Sequence, residues 1–225
     1  MNYASYIDHT LLKADATNTD IKKLCKEAIQ YEFFSVCVNP CYIKVCKKYL
    51  KGTSVKICSV IGFPLGANDI KTKVFEAKQA IKNGADEIDV VINISKLKEK
   101  KYKYIEKELD NIVKVSKGKA LVKVIIETCL LTGEEIKSAC QIVYASGVDY
   151  VKTSTGFSKY GARVEDVQLM KEICGDKIFI KASGGIKNFE SMKNLIVAGA
   201  RRIGTSHGVE IMQEIAKKMK KDSEM

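Results

Sequence analysis

Gly147-Val-Asp-Tyr-Val-Lys-Thr-Ser-Thr-Gly156 is the stretch that decides the fold. A glycine that ends a helix is followed at once by a short apolar run, then by small polar residues and a second glycine. Terminal glycines suit the left-handed conformation that closes helices. The run Tyr150-Val-Lys152 is short and β-prone. The same punctuation recurs at Gly84-Ala-Asp86 and Gly199-Ala-Arg201, so the chain repeats a helix–turn–strand unit. Five residues beyond the three glycines lie Asp89, Lys152 and Gly204; the same count from Gly118 gives Lys123, so the register does not by itself select functional residues.

Working outward, candidate strands centre on Ile7-Asp8, Phe34–Val38, Val55–Val60, Glu87–Val91, Leu121–Ile126, Tyr150–Lys152, Ile178–Lys181 and Arg202–Thr205. Helical signatures separate them. Asn39-Pro40 offers a capping side chain before a first-turn proline, and Thr132-Gly-Glu-Glu135 has capping-box spacing. Leu97, Ile105, Leu109 and Ile112 recur at helical period inside a lysine-rich segment. Strict alternation implies a parallel sheet, and eight units in 225 residues predict an α/β protein with a closed (β/α)8 TIM barrel. An open doubly wound sheet is the rival, but no Gly-x-Gly-x-x-Gly follows the first strand. Nothing in the sequence divides the barrel, so residues 1–225 are expected to form one domain, with a short disordered tail from about Asp222.

Composition narrows the function. No apolar run approaches the ~20 residues of a membrane span, and the N-terminus lacks a signal peptide's apolar core, which predicts a cytoplasmic protein with no membrane partner. The net charge of +11 raises nucleic acid as a partner. However, the excess is almost all lysine, with arginine only at 163, 201 and 202, and it is interleaved with glutamate; the expectation is no nucleic-acid binding. The eight cysteines include no Cys-x-x-Cys and read as free thiols. With only His9 and His207 as histidines and no zinc spacing, neither a metal nor another cofactor is expected.

In a barrel of this type chemistry sits at the carboxyl ends of the strands. Lys152 and Lys181 interrupt apolar runs there, and a buried lysine amine is a candidate nucleophile. Ser183-Gly-Gly185 and Gly204-Thr-Ser-His-Gly208 follow the last two strands, where backbone N–H groups bind phosphate in many barrels. A small phosphorylated substrate and Schiff-base chemistry follow. Three alternatives stay open on these residues: an aldolase or transaldolase for a longer sugar, an isomerase using Glu127 as base, and a basic binding module.

The runs Ile7–Lys13 (IDHTLLK), Ser35–Pro40 (SVCVNP), Val60–Ala67 (VIGFPLGA), Gly84–Ile94 (GADEIDVVINI), Val122–Thr132 (VKVIIETCLLT), Val151–Phe157 (VKTSTGF), Ile180–Ile186 (IKASGGI) and Arg202–Ser206 (RIGTS) resemble the deoxyribose-phosphate aldolase family. The resemblance extends in order from Ile7 to about Met212. It implies a class I aldolase of deoxyribose phosphate catabolism. The implied reaction is reversible cleavage of 2-deoxy-D-ribose 5-phosphate to glyceraldehyde 3-phosphate and acetaldehyde. It also implies that Lys152 is the Schiff-base lysine, Lys181 the neighbouring amine and Asp89 the proton-shuttling carboxylate. Gly184, Gly185, Gly204 and Ser206 would bind phosphate, Cys37 and Thr155 would lie beside the substrate, and the chain would form a homodimer. By the same resemblance Lys56 and Lys123 are paired charges of the lower barrel or bottom face. Two departures stand out: His207 replaces a common hydroxyl residue in the phosphate loop, and the final residues lack the tyrosine that closes over the site in some members.

Overall fold

The computed structural model of the chain describes residues 2–223. Eight strands close a barrel in sequence order: β1 (Ile7–Leu11), β2 (Ser35–Val38), β3 (Lys56–Ile61), β4 (Glu87–Val91), β5 (Leu121–Ile125), β6 (Tyr150–Lys152), β7 (Phe179–Ser183) and β8 (Ala200–Thr205). Every neighbouring pair is parallel, and β8 returns to β1 through Ile7 opposite Ile203. The helices are α1 (Asn18–Gln30), α2 (Ile43–Tyr49), α3 (Ile70–Asn83), α4 (Ile94–Lys98), α5 (Tyr102–Ser116), α6 (Gly133–Ser146), α7 (Val164–Cys174), α8 (Phe189–Val197) and α9 (Gly208–Ser223).

The helices form where caps and apolar faces agree. Thr17 and Asp20 make a capping box at α1, whose buried residues Ile21, Leu24, Cys25 and Ala28 keep one face. Thr132 and Glu135 make the capping box expected at α6. Gly84 and Gly147 close α3 and α6 at φ of 111° and 76°, in the region only glycine enters freely.

Three local expectations are corrected. The lysine-rich segment is two helices, because Lys100, at φ 55°, breaks the path between α4 and α5. Asn39 does not cap a helix with its side chain; its Nδ2 donates to the Leu12 carbonyl at 3.3 Å, and Pro40–Tyr42 is a 3-10 turn. Helix α9 continues through Asp222 to Ser223, and the remainder of the expected tail lies outside the described residues.

Side chains alternate across each strand, so odd and even positions meet different surroundings. On β2, Val36 and Val38 join the main core under the helices, while Cys37 belongs to a small apolar cluster with Leu12, Cys58 and Val60. On β4, β5, β7 and β8 the core members are Ile88 and Val90, Val122 and Val124, Ile180 and Ala182, and Ala200 and Ile203. The intervening residues Glu87, Asp89, Lys123, Lys181 and Arg202 are buried and polar. A buried charge is tolerated only when paired, and these positions are close enough to pair across the barrel interior.

Candidate active site

The interior charges form one connected cluster. Lys123 Nζ meets Glu87 Oε2 at 2.5 Å and Asp89 Oδ1 at 3.1 Å. Arg202 Nη1 meets Asp8 Oδ1 at 2.7 Å and Glu87 Oε2 at 3.3 Å. Lys181 Nζ lies 2.5 Å from Asp8 Oδ2, a charge contact rather than a directed hydrogen bond, and donates to Asp89 Oδ2 at 2.7 Å. Lys152 Nζ donates to that same Asp89 oxygen at 2.7 Å. Two lysines from adjacent strands, opposite each other in the β6–β7 register, therefore share one carboxylate oxygen.

Burial and charge set the protonation of the cluster. Burial opposes ionisation of Asp89, but the ammonium groups of Lys123, Lys152 and Lys181 overcome it and hold the carboxyl well below its ordinary range. Burial likewise opposes the charge on Asp8, and Lys181, Arg202 and Lys123 outweigh it, so this carboxyl also stays ionised. Lys181 loses hydration, yet Asp8 and Asp89 hold it protonated, above the usual lysine range. Cys58 donates its thiol to Asp89 Oδ1 at 3.1 Å; burial, then its contact with Cys37, pushes that thiol up.

The sequence centred the first strand on Ile7-Asp8, without extending it to Leu11. Instead β1 runs on to Leu11, which draws Asp8 into the barrel interior beside Arg202 and Lys181. Lys123 is paired as expected, but in register with Asp89 and reaching it as well as Glu87. Lys56 stands apart, exposed at the amino-terminal end of β3.

Above the cluster opens a cavity of about 240 Å³. Lys152 lies on its wall and is 3% exposed, whereas Lys181 and Lys123 are fully buried. The difference follows from strand length, since β6 ends at Lys152 while β7 continues past Lys181 to Ser183. Thr155, Gly184, Gly185, Gly204 and Ser206 line the same cavity, and so does His207. The His207 N–H donates to Thr205 Oγ1 at 2.9 Å and its Nδ1 lies 3.1 Å from Ser206 Oγ. Lys13 and Lys187 add cationic side chains to the lining, a contribution the sequence reading did not single out. Cys37 is not in the lining; it is buried, opposite the cavity-lining Thr10 in the β1–β2 register.

A close backbone approach shapes the glycine wall. A Cβ on Gly161 would come within 2.0 Å of the Gly184 carbonyl oxygen, so the loop after β6 packs directly on the turn after β7. Glu127 supports that loop from below. It is buried at φ 55° and accepts from the Thr155 N–H at 3.2 Å and from the Thr155 hydroxyl. Both of its carboxylate oxygens are committed to Thr155, which removes the geometric basis for a general base there.

Fold and site define a class: a (β/α)8 barrel in which one amine of the interior charge cluster reaches the cavity, backed by a buried, charge-paired carboxylate, with glycine turns beside it. Residues 3–214 match the family model of the DeoC/LacD family aldolases. A deoxyribose-phosphate aldolase from Finegoldia magna is 59% identical over 213 residues, covering 95% of this chain and all of that one. The Clostridium tetani deoxyribose-phosphate aldolase is 56% identical over 214 residues, covering 95% and 99%. Among solved structures, a tetrameric deoxyribose phosphate aldolase from Aeropyrum pernix superposes with a TM-score of 0.89 at 34% identity, covering 95% of this chain and 91% of that one. The chain belongs to the DeoC/LacD aldolase family.

Proposed function

We propose that this chain reversibly cleaves 2-deoxy-D-ribose 5-phosphate to D-glyceraldehyde 3-phosphate and acetaldehyde through a Schiff base on Lys152. The observation that carries the assignment of the nucleophile is that Lys152 is the cluster's cavity-lining amine. Charge counting supports it. Asp8, Glu87 and Asp89 face Lys123, Lys181, Arg202 and Lys152, so three carboxylates balance three cations and leave one amine surplus. Lys181 is held charged by two carboxylates and is fully buried, which leaves Lys152, on the cavity wall, as the amine placed to meet a carbonyl. Neutrality is the requirement, because an ordinary lysine is ~99.9% protonated near pH 7 and cannot attack a carbonyl.

The neutral amine adds to the C1 aldehyde, and the carbinolamine hydroxyl takes a proton relayed from the Lys181 ammonium and leaves as water, giving an iminium. The C3 hydroxyl then passes its proton through a water to Asp89, which lies buried below the cavity. The C2–C3 bond breaks as its electron pair flows into the iminium, releasing glyceraldehyde 3-phosphate and leaving an enamine on Lys152. Protonation at C2 and hydrolysis release acetaldehyde and restore the amine. Asp89 suits the shuttle because it contacts both amines through one oxygen, so a proton moves among three groups without crossing bulk water. Gly184, Gly185, Gly204 and Ser206 offer backbone N–H groups and a hydroxyl to the phosphate, with α9 starting at Gly208. Thr155 borders the reacting carbons, while Cys37 acts only through its neighbours.

Incubation with 2-deoxyribose 5-phosphate tests the reading. Acetaldehyde and glyceraldehyde 3-phosphate are expected in equal amounts; turnover of a longer sugar phosphate without acetaldehyde would assign a different aldolase. We further propose a single-domain, cytoplasmic protein that self-associates as a homodimer. The Aeropyrum pernix relative is tetrameric, which supports self-association, and light scattering decides the number of subunits. No helix among the described residues is long and apolar enough to cross a membrane.

A further inference from the structure

We propose that Cys37, Cys58 and Asp89 form an inhibitory binding site for a soft divalent cation, of the zinc or cadmium type. The three residues come from consecutive strands, and Cys37 stands directly opposite Cys58 in the β2–β3 register. Their ligand atoms all lie within 4.8 Å of one another. A tetrahedral ion with metal–sulfur bonds of ~2.3 Å places its ligands roughly 3.7 Å apart. The thiols and carboxylate therefore reach that geometry through small side-chain movements, with Cys58 Sγ drawing away from its present 3.1 Å contact with Asp89 Oδ1. Three protein ligands leave the fourth position open, as zinc tolerates. Two sulfurs select soft d¹⁰ ions over magnesium or calcium.

Electrostatics permits the site despite the cations around it. Two thiol protons leave as one dication enters, so the total charge of the cluster does not change. The ion itself compensates the two thiolates it binds. The Cys58 thiol and Lys123 now both contact Asp89 Oδ1, and the ion would replace them there. Lys123 keeps its 2.5 Å contact with Glu87. Thr10, opposite Cys37 in the β1–β2 register, lines the cavity and marks the route of entry. Once bound, the ion ties down the carboxylate that the proposed mechanism uses as its proton shuttle. Inhibition thus rests on that mechanism, whereas binding does not.

Cadmium titration of the intact, reduced protein tests both parts separately. The thiolate-to-cadmium ultraviolet band should saturate at one tightly bound ion, with proton release, and cleavage activity should fall in parallel and return on adding a chelator. Cys37→Ser and Cys58→Ser should each lose the tight band, and each variant's remaining activity should resist cadmium, while Cys41→Ser, at the exposed cysteine, should behave as wild type. A band retained in both buried-thiol variants, or lost in Cys41→Ser, would overturn the site. Anomalous diffraction from cadmium-soaked wild-type crystals needs no variant: density between the two sulfurs and Asp89 is expected, and density at other residues alone refutes the proposal. Binding without loss of activity would refute the inhibitory role and leave the aldolase reading to its own product assay.

Discussion

Replacing Lys181 tests whether the second ammonium keeps Lys152 reactive. Both amines lie 2.7 Å from Asp89 Oδ2, so they are at most 5.4 Å apart, the sum of the two contacts. Two unit charges at that distance interact by about 3 kcal/mol at an effective dielectric constant of 20. At ~1.4 kcal/mol per unit, this equals about two pH units. Lys181→Met removes the charge, leaves three carboxylates facing three cations, and makes Lys152 the partner that must stay protonated. The pH at which iminium formation reaches half its maximal rate should therefore rise by about two units. Breaking a buried pair also costs about 3–5 kcal/mol of stability, so the variant is assayed well below its melting temperature. Lys181→Arg keeps the charge without exchanging protons near neutrality; its profile should stay near wild type while its rate falls. Stopped-flow measurement of iminium formation from pH 6 to 10 provides the comparison. Identical profiles in the wild type and both variants would refute the electrostatic role.

Asp89→Asn keeps the shape of the shuttle but removes its base, and cleavage should fall by ~10²–10⁴; a near wild-type steady-state rate would exclude the role. Unphosphorylated deoxyribose should be a much poorer substrate, with inorganic phosphate a weak competitor, and equal catalytic efficiency on both sugars would exclude a phosphate subsite. Asp8 and Asp89 have folded-state pKa values below their ordinary value, so the stability they add is complete above about pH 4 and is lost as pH falls through the folded values. Urea midpoints should therefore decline on acidification below about pH 4, and less steeply in Asp8→Asn; parallel acid curves would contradict the assignment.

Strand order and the strand-end lysines were legible because each is a local signal: a glycine stop, a β-prone run, a charge interrupting it. Thr132 and Glu135 were legible for the same reason, being three residues apart. What escaped the sequence is long-range. Asp8 and Arg202 are 194 positions apart, and only barrel closure between β1 and β8 brings them to 2.7 Å. The interior position of Asp8 was not legible because it depends on β1 pairing with both β2 and β8. The sequence allowed Glu127 as the base of an isomerase alternative because nothing local announces that Thr155, 28 residues on, consumes its oxygens. Cys37 and Cys58 look like isolated small apolar residues until the β2–β3 register sets them opposite each other.

Borohydride reduction in the presence of acetaldehyde, followed by peptide mass spectrometry, tests the central claim most directly. The account predicts a single ethylated lysine at Lys152, absent in Lys152→Ala while the fold is retained. Ethylation at Lys181 or Lys123 instead, or trapping that persists in Lys152→Ala, would contradict it.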